Sequence, residues 1–317
     1  MTVQDLGRVG LREFGVSPGG ALDPYALQVA NLLVGNEESA AGLEITFGGL
    51  RLRFADDRIV AWCGANFEAR AGSLALPSGH PALVRAGEDF SIETPAIGCR
   101  AWLAVSGGID VPLVLGSRSA DLKGGFGGIN GRPLRDGEEV PLGKNSERST
   151  SLAKKLERPR LASWKPPHGW SSTAQPQPML RFVRGCDENH YDSGAIKTFA
   201  TESFFVSPDS DRMGVRLEGP HLKRSSKADL LSEAVVPGTV QVPPNGKPIL
   251  LLNDCQTIGG YPKLAHVITV DLSIAAQLRP ADRLRFREVS LAEAHQALLE
   301  RESDLDQFRF GLESHFT

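Results

Sequence analysis

Short strand-like stretches punctuated by turn residues constrain this chain more than any other feature. LEITFGGLRLRF (43–54), RIVAWCG (58–64), PALVRAG (81–87), DFSIET (89–94) and CRAWLAVSGGIDV (99–111) follow one another, broken by Gly, Pro, Asp and Asn. The pattern resumes with MLRFVRG (179–185), ESFFVSP (202–208), GVRLEG (214–219), GTVQVP (238–243), PILLLND (248–254), HVITVDL (266–272) and RLRFREV (283–289). Strands this short and this closely spaced predict a barrel or sandwich, not a doubly wound sheet. Two helices interrupt the strands. Asp23 caps the first, Pro24 opens it, Ala26, Leu27, Ala30, Leu33 and Val34 recur at helical spacing, and Gly35 ends it. Near the C-terminus, SLAEAHQALLER (290–301) opens with Ser290 and Glu293 three residues on, a capping box.

Between the two strand-rich regions lies a polar, mostly basic stretch. Five prolines, Pro159, Pro166, Pro167, Pro176 and Pro178, fall within it. Its composition is that of a linker. The competing reading is an ordered crossover packed through Trp164 and Trp170. The expected organisation is therefore a first β subdomain over 1–143, a linker over 144–178 and a second β subdomain with a C-terminal helix over 179–317. A weak echo links the halves. VRAGEDFSI (84–92), LRDGEEVPL (134–142) and LRPADRLRF (278–286) share an apolar-Arg pair, a turn, an acid and then a strand. Duplication would produce it, and so would recurring turn chemistry.

Several function classes are excluded. With 35 basic and 38 acidic residues the chain carries a net charge of −3, which gives no case for nucleic acid or an anionic membrane. No apolar run approaches the ~20 residues a membrane span needs, and MTVQDLGRVG lacks the regions of a signal peptide. A cytoplasmic protein is expected. Cys63, Cys99, Cys186 and Cys255 are isolated, so reduced thiols and no zinc site are expected. KGGFGGINGRP (123–133) fails both the dinucleotide fingerprint and the P-loop. Ala104 occupies the place of the first glycine of a nucleophile elbow around Ser106. His266 lies in an apolar run and reads as a hydrogen-bonded core residue.

Polar groups collect in five loops. TVQDLGR (2–8) sets Gln4, Asp5 and Arg8 beside Gly7, and VSPGGALD (16–23) is a flexible turn. GGIDVPLVLGSRS (107–119) carries Arg118 between Ser117 and Ser119, and SPDSDRMGVRLEGP (207–220) carries Arg212. An arginine beside small hydroxyls suits a carboxylate or phosphate, because its fork binds two oxygens at once. The plainer reading is that each arginine pairs with a nearby acid and orders a turn. The fifth loop, NDCQTIGGYPK (253–263), is too long and too polar for a bare hairpin. It is read as one wall of a pocket for an amide-containing ligand, against the alternative of a glycine-rich connection that orders the barrel.

With these residues in view, the chain resembles the biotin-dependent carboxyltransferase, or allophanate hydrolase subunit 2, family. The matching text is TVQDLGRVG, GALDPYALQVANLLVGNEESAAGLEIT, GGIDVPLVLGSRSADLKGGFGG, SPDSDRMGVRLEGP, VVPGTVQVPPNGKPILLLNDCQTIGGYPKLA and AQLRPADRLRF. The resemblance implies a mainly β fold of two cyclophilin-like β-barrel subdomains, related by duplication. It implies one part of a 5-oxoprolinase-type amidohydrolase complex that uses ATP to convert 5-oxoproline to glutamate, working with B-type and A-type 5-oxoprolinase partner proteins. The alternatives are a carboxyltransferase component for urea or a related amide, with biotin carried by a partner, and a non-catalytic antagonist of a kinase inhibitor of the B type. On the lead reading Asp254 and Tyr261 are catalytic, and Gln256, Thr257, Gly259, Gly260 and Lys263 bind the substrate with Arg118 or Arg212. Ile258 stands where members often carry a second threonine, and RGCDENHYD (184–192) departs from their usual text.

Overall fold

The computed structural model describes residues 1–225 and 230–316. The chain is mainly β and divides into two units. The first comprises Met1–Gly7, Gly19–Ala174 and Ser303–Thr317, and the second Arg8–Pro18 and Gln175–Glu302.

The first unit holds two antiparallel sheets. One runs in the order Thr2–Gln4, Gly42–Thr46, Arg100–Val105, Arg58–Gly64, Ala82–Val84. The other runs Leu50–Arg53, Asp89–Ile92, Ala69–Ala71, Leu74–Ala75. Leu43, Ile45, Trp62, Phe90, Ile92 and Leu103 are buried in their common core. Arg58–Gly64 is buried along its whole length because helix Pro24–Leu33 packs against it, which accounts for its unbroken apolar text. That helix starts as expected: the Ala26 N–H donates to Asp23 Oδ1 at 3.0 Å.

The proline-rich stretch 144–178 does not behave as a linker. It forms helices Glu147–Lys155 and His168–Ser171, and residues up to Ala174 belong to the first unit. Ser146 caps the first helix, and Ser149 Oγ donates to Val34 O at 2.7 Å. Leu152, Leu156 and Ala162 are buried, and Trp170 lies edge-on to Tyr25. Pro159, Pro167, Pro176 and the lysines face solvent, whereas Pro166 and Pro178 are buried, as befits an ordered crossover.

The second unit is a closed barrel. Its strands run Met179–Arg184, Lys263–Val267, Thr239–Gln241, Ile249–Leu251, Gly214–Glu218, Ser203–Val206, Arg283–Glu288 and back to the first. The closing pair is parallel, with Met179 opposite Arg285 and Phe182 opposite Glu288. Phe182, Phe199, Phe204 and Phe286 fill the centre. Phe199 stacks on Phe286 at 4.1 Å, and Phe182 meets Phe199 edge-on at 5.0 Å. The Ser290–Glu293 capping box forms at 2.7 and 3.2 Å, and its helix extends to Phe316, beyond the expected Arg301. A second apolar stripe, Leu305, Leu312 and Phe316, is buried, and this last part of the helix, from Ser303, belongs to the first unit and not to the second β subdomain expected over 179–317. Among the described residues no helix is long and apolar enough to cross a membrane.

The three echoing segments contain the same turn. The backbone N–H of Arg85, Arg135 and Arg279 donates to the acid three residues on, Glu88, Glu138 and Asp282, at 3.1, 2.7 and 2.8 Å. The N–H of each acid donates back to the arginine carbonyl at 3.0, 3.3 and 3.0 Å. The third position has positive φ in every case: Gly87 at 77°, Gly137 at 79° and Ala281 at 69°. The echo is therefore accounted for by a turn with a fixed backbone requirement.

Candidate functional site

In the first unit, Asp5 lies at the centre of a hydrogen-bond cluster. Its Oδ1 accepts from the Gly7 N–H at 2.8 Å and from the Ser117 and Ser119 hydroxyls, both at 2.6 Å. Its Oδ2 accepts from the Arg118 N–H at 2.6 Å. The TVQDLGR and GSRS texts thus meet in space, and what they build is a buried carboxylate saturated with donors. The Arg118 guanidinium points elsewhere and pairs with Asp110 at 3.0 Å, both side chains partly exposed. Gly20 sits against this cluster with φ 79°, where a Cβ would lie 2.7 Å from Gly7 N. Only glycine fits both the angle and the space.

The polar loop 253–263 belongs to the second unit, and its backbone is fastened along most of its length. Ile258–Gly259 pairs with Glu233–Ala234, the Val235 N–H donates to Thr257 O at 3.0 Å, and the Leu230 N–H donates to Gly260 O at 3.0 Å. Gln241 Nε2 donates to Tyr261 O at 2.9 Å, and the Tyr191 hydroxyl donates to Pro262 O at 2.6 Å. Val235, Leu251 and Cys255 make a small apolar cluster beneath it. From the N-terminal segment, Arg12 donates to Val235 O and Ser17 Oγ donates to Cys255 O at 2.7 Å.

Arg212 and Asp254 form a two-pronged ion pair, Nε to Oδ2 at 2.8 Å and Nη2 to Oδ1 at 3.1 Å, with both side chains 12% exposed. Both oxygens of Asp254 thus lie on one guanidinium. That geometry suits holding the loop to the strand start at Gly214 better than accepting a proton from substrate. Lys263 is buried and bridges two acids, reaching Glu233 at 2.6 Å and Asp187 at 3.2 Å. Gln256, Gly259 and Gly260 are half-buried, Thr257 is buried, and Tyr261 is 38% exposed. The side chains that face outward from the fastened backbone are therefore those of Ile258 and Tyr261, with the Gln256 amide half-exposed. Tyr261 and Gln256 can hydrogen-bond a ligand, whereas the glycines make room for the chain itself, since a Cβ would lie 2.9 Å from Gln241 Nε2 at Gly259 and 2.9 Å from Leu230 O at Gly260. All four cysteines are free, and burial pushes the Cys255 thiol up to about 11, so it is a packing residue here. Among the described residues no group of His, Cys, Asp or Glu is placed to hold a metal ion.

Asp187, Glu233, Gln241, Arg12 and Ser17 were not among the residues singled out from the sequence. Asp187 falls within RGCDENHYD, the text that departs from the family, and its Oδ2 also accepts the Lys263 N–H at 3.0 Å. Burial raises the Asp187 carboxyl, but hydrogen bonds from Lys263 outweigh this and hold it below its ordinary value. Lys263 is held above its ordinary value, since its bonds to Glu233 and Asp187 outweigh burial. Asp187 thus stabilises the fold above the ordinary carboxylate range, and the contribution is lost as pH falls through its folded value. Lys263 stabilises the fold below the ordinary lysine value, and the contribution is lost as pH rises through its folded value. In Lys263→Met the Asp187 carboxyl, followed by NMR, titrates at higher pH than in the parent chain. An unchanged midpoint would mean that the ammonium does not hold it.

The profile of the carboxyltransferase domain, subdomain A and B, matches residues 14–288. The chain belongs to the carboxyltransferase-domain family. It is 40% identical over 311 residues to the C-type component of 5-oxoprolinase from Escherichia coli (strain K12), covering 98% of this chain and 95% of that protein. Urea amidolyase of Lachancea kluyveri is 29% identical over 98% of this chain, which spans only 17% of that protein. Among solved structures, the K. lactis urea amidolyase superposes with a TM-score of 0.87 at 28% identity, over 97% of this chain and 19% of that one. The chain is thus similar to one carboxyltransferase-domain protein over nearly its full length, and to about a fifth of much larger ones.

Proposed function

We propose that this chain is the C-type component of a cytoplasmic 5-oxoprolinase, which opens the lactam of 5-oxoproline to glutamate at the expense of ATP. The observation that carries the reading is the 40% identity to a 5-oxoprolinase component of that type along essentially the whole of both chains. B-type and A-type partner proteins complete the complex, and ATP enters as a co-substrate of the assembly. The Tyr261 hydroxyl, the Gln256 amide, Thr257 and the backbone at Gly259 and Gly260 hold the lactam. Arg212, fixed by Asp254, meets the substrate carboxylate. Transfer of the γ-phosphoryl group to the lactam oxygen makes the ring carbon electrophilic. Water then adds there, the ring C–N bond opens to free the amine and leave an acyl phosphate, and a second water displaces phosphate to give the carboxylate of glutamate.

Tyr261→Phe tests the site. The Tyr261 carbonyl stays on Gln241, so the loop keeps its backbone anchor. Loss of the hydroxyl is expected to lower glutamate release by the assembled mixture about a hundredfold, as for other donors aimed at a developing charge, with assembly unchanged. Unchanged turnover would remove Tyr261 from the site. The likeness to urea amidolyase supports a second reading, transfer of a carboxyl group to urea or a related amide with biotin on a partner chain. It predicts that label from bicarbonate enters the product, which lactam hydrolysis does not.

A further inference from the structure

We infer that the outer wall of the second unit's barrel carries a binding pocket for an organic polyphosphate. Strand Arg283–Glu288 turns Leu284 and Phe286 into the core and leaves Arg283, Arg285 and Arg287 exposed. Side chains two apart on a strand share a face at a spacing of roughly 7 Å, so three like charges stand in a row. Such a row repels itself and costs stability unless something neutralises it. Four other arginines of the chain, by contrast, pair with acids: Arg53 with Asp89, Arg85 with Asp57, Arg160 with Glu88 and Arg184 with Glu288. Arg181, opposite Arg287, is committed to Asp271. Among the described residues neither Arg283 nor Arg285 has an ion pair. Arg285 reaches only Ser203 Oγ, at 3.2 Å, which steadies its guanidinium without satisfying its charge. The row stands out the more because the chain as a whole is negative.

A cavity of about 390 Å³ opens beside these two arginines, walled by Pro176, Pro178 and Met179. Its size is that of a small-molecule site. Phe205, opposite Arg283, is 47% exposed, and Met179, opposite Arg285, is 43% exposed. Two forked cations and a third two residues on therefore stand between two exposed apolar side chains, with Met179 on the cavity side and Phe205 on the other neighbouring strand. A single carboxylate would need only one fork. Successive phosphates joined to a flat apolar group use all of these features.

The assignment stands apart from the activity proposed above, because binding is read without turnover. Isothermal titration of the full chain with ATP, inorganic tripolyphosphate and AMP decides it. ATP should bind more tightly than either, with affinity falling as salt rises. Arg283→Glu combined with Arg285→Glu alters only exposed side chains and breaks up the like-charged row, so the variant should melt no lower than the parent, and its ATP affinity should fall by about tenfold or more. No ATP binding at millimolar concentration, or binding indifferent to the double substitution, would overturn the site. Equal affinity for ATP and tripolyphosphate would overturn the organic class of ligand.

Discussion

Asp5→Ala should destabilise the first unit by about 3–5 kcal/mol, because several buried donors lose their shared acceptor at once. Four donors converge on this carboxylate: the Gly7 and Arg118 N–H groups and the Ser117 and Ser119 hydroxyls. Asp5 is only 7% exposed and both serines are fully buried, so water cannot readily replace it. Each buried donor left without an acceptor costs about 1–3 kcal/mol. The total is a large share of the roughly 5–15 kcal/mol that holds a domain folded. Asp5→Asn should also destabilise, because its amide nitrogen would face donors where it needs an acceptor. Urea unfolding followed by tryptophan fluorescence reads both variants. The exposed Arg53–Asp89 pair provides the contrast, and Asp89→Ala should leave the midpoint unmoved. An Asp5→Ala midpoint equal to that of the parent would mean that the cluster is not what joins TVQDLGR to GSRS.

The second large effect is expected at Arg212 and Asp254. Removing either partner of a largely buried, two-pronged pair strands the other, at a cost of about 2–4 kcal/mol. The double variant Arg212→Ala/Asp254→Ala should be little worse than either single one, giving a coupling energy of about 1.5–3 kcal/mol. Arg212→Lys should not rescue, because an ammonium cannot span both oxygens. The pair also ties the two loops together through the main chain, since the Asp254 N–H donates to Arg212 O at 3.2 Å. Loss of the pair should therefore release the polar loop and abolish activity of the assembled enzyme together with stability. Strict additivity of the two single substitutions would show that they do not act as a unit.

What could be read from the sequence follows the range of the interaction. The Asp23 cap and the Ser290–Glu293 box are contacts across three residues, and both are present as expected. The barrel's closing pair joins Met179 to Arg285, and nothing local announces it. The 144–178 stretch misleads because composition weighs every residue equally, whereas a few buried side chains such as Leu152, Leu156 and Ala162 decide whether a segment packs. At the polar loop, its length and polarity marked it, but its supports did not show. Gln241 lies 20 positions from Tyr261, Arg212 lies 42 from Asp254 and Asp187 lies 76 from Lys263. The arginines of GSRS and SPDSDR illustrate the same limit. Their hydroxyl neighbours pointed to an anion, and in the fold each guanidinium rests on an aspartate of its own chain.

Glutamate release from 5-oxoproline tests most directly whether this chain works as one part of a 5-oxoprolinase. The chain would be assayed alone, with its B-type partner, and with both the B-type and A-type partners, each with and without ATP. Glutamate that appears only with all three proteins and ATP present is the predicted result. No glutamate from a mixture shown by size-exclusion chromatography to assemble would contradict it.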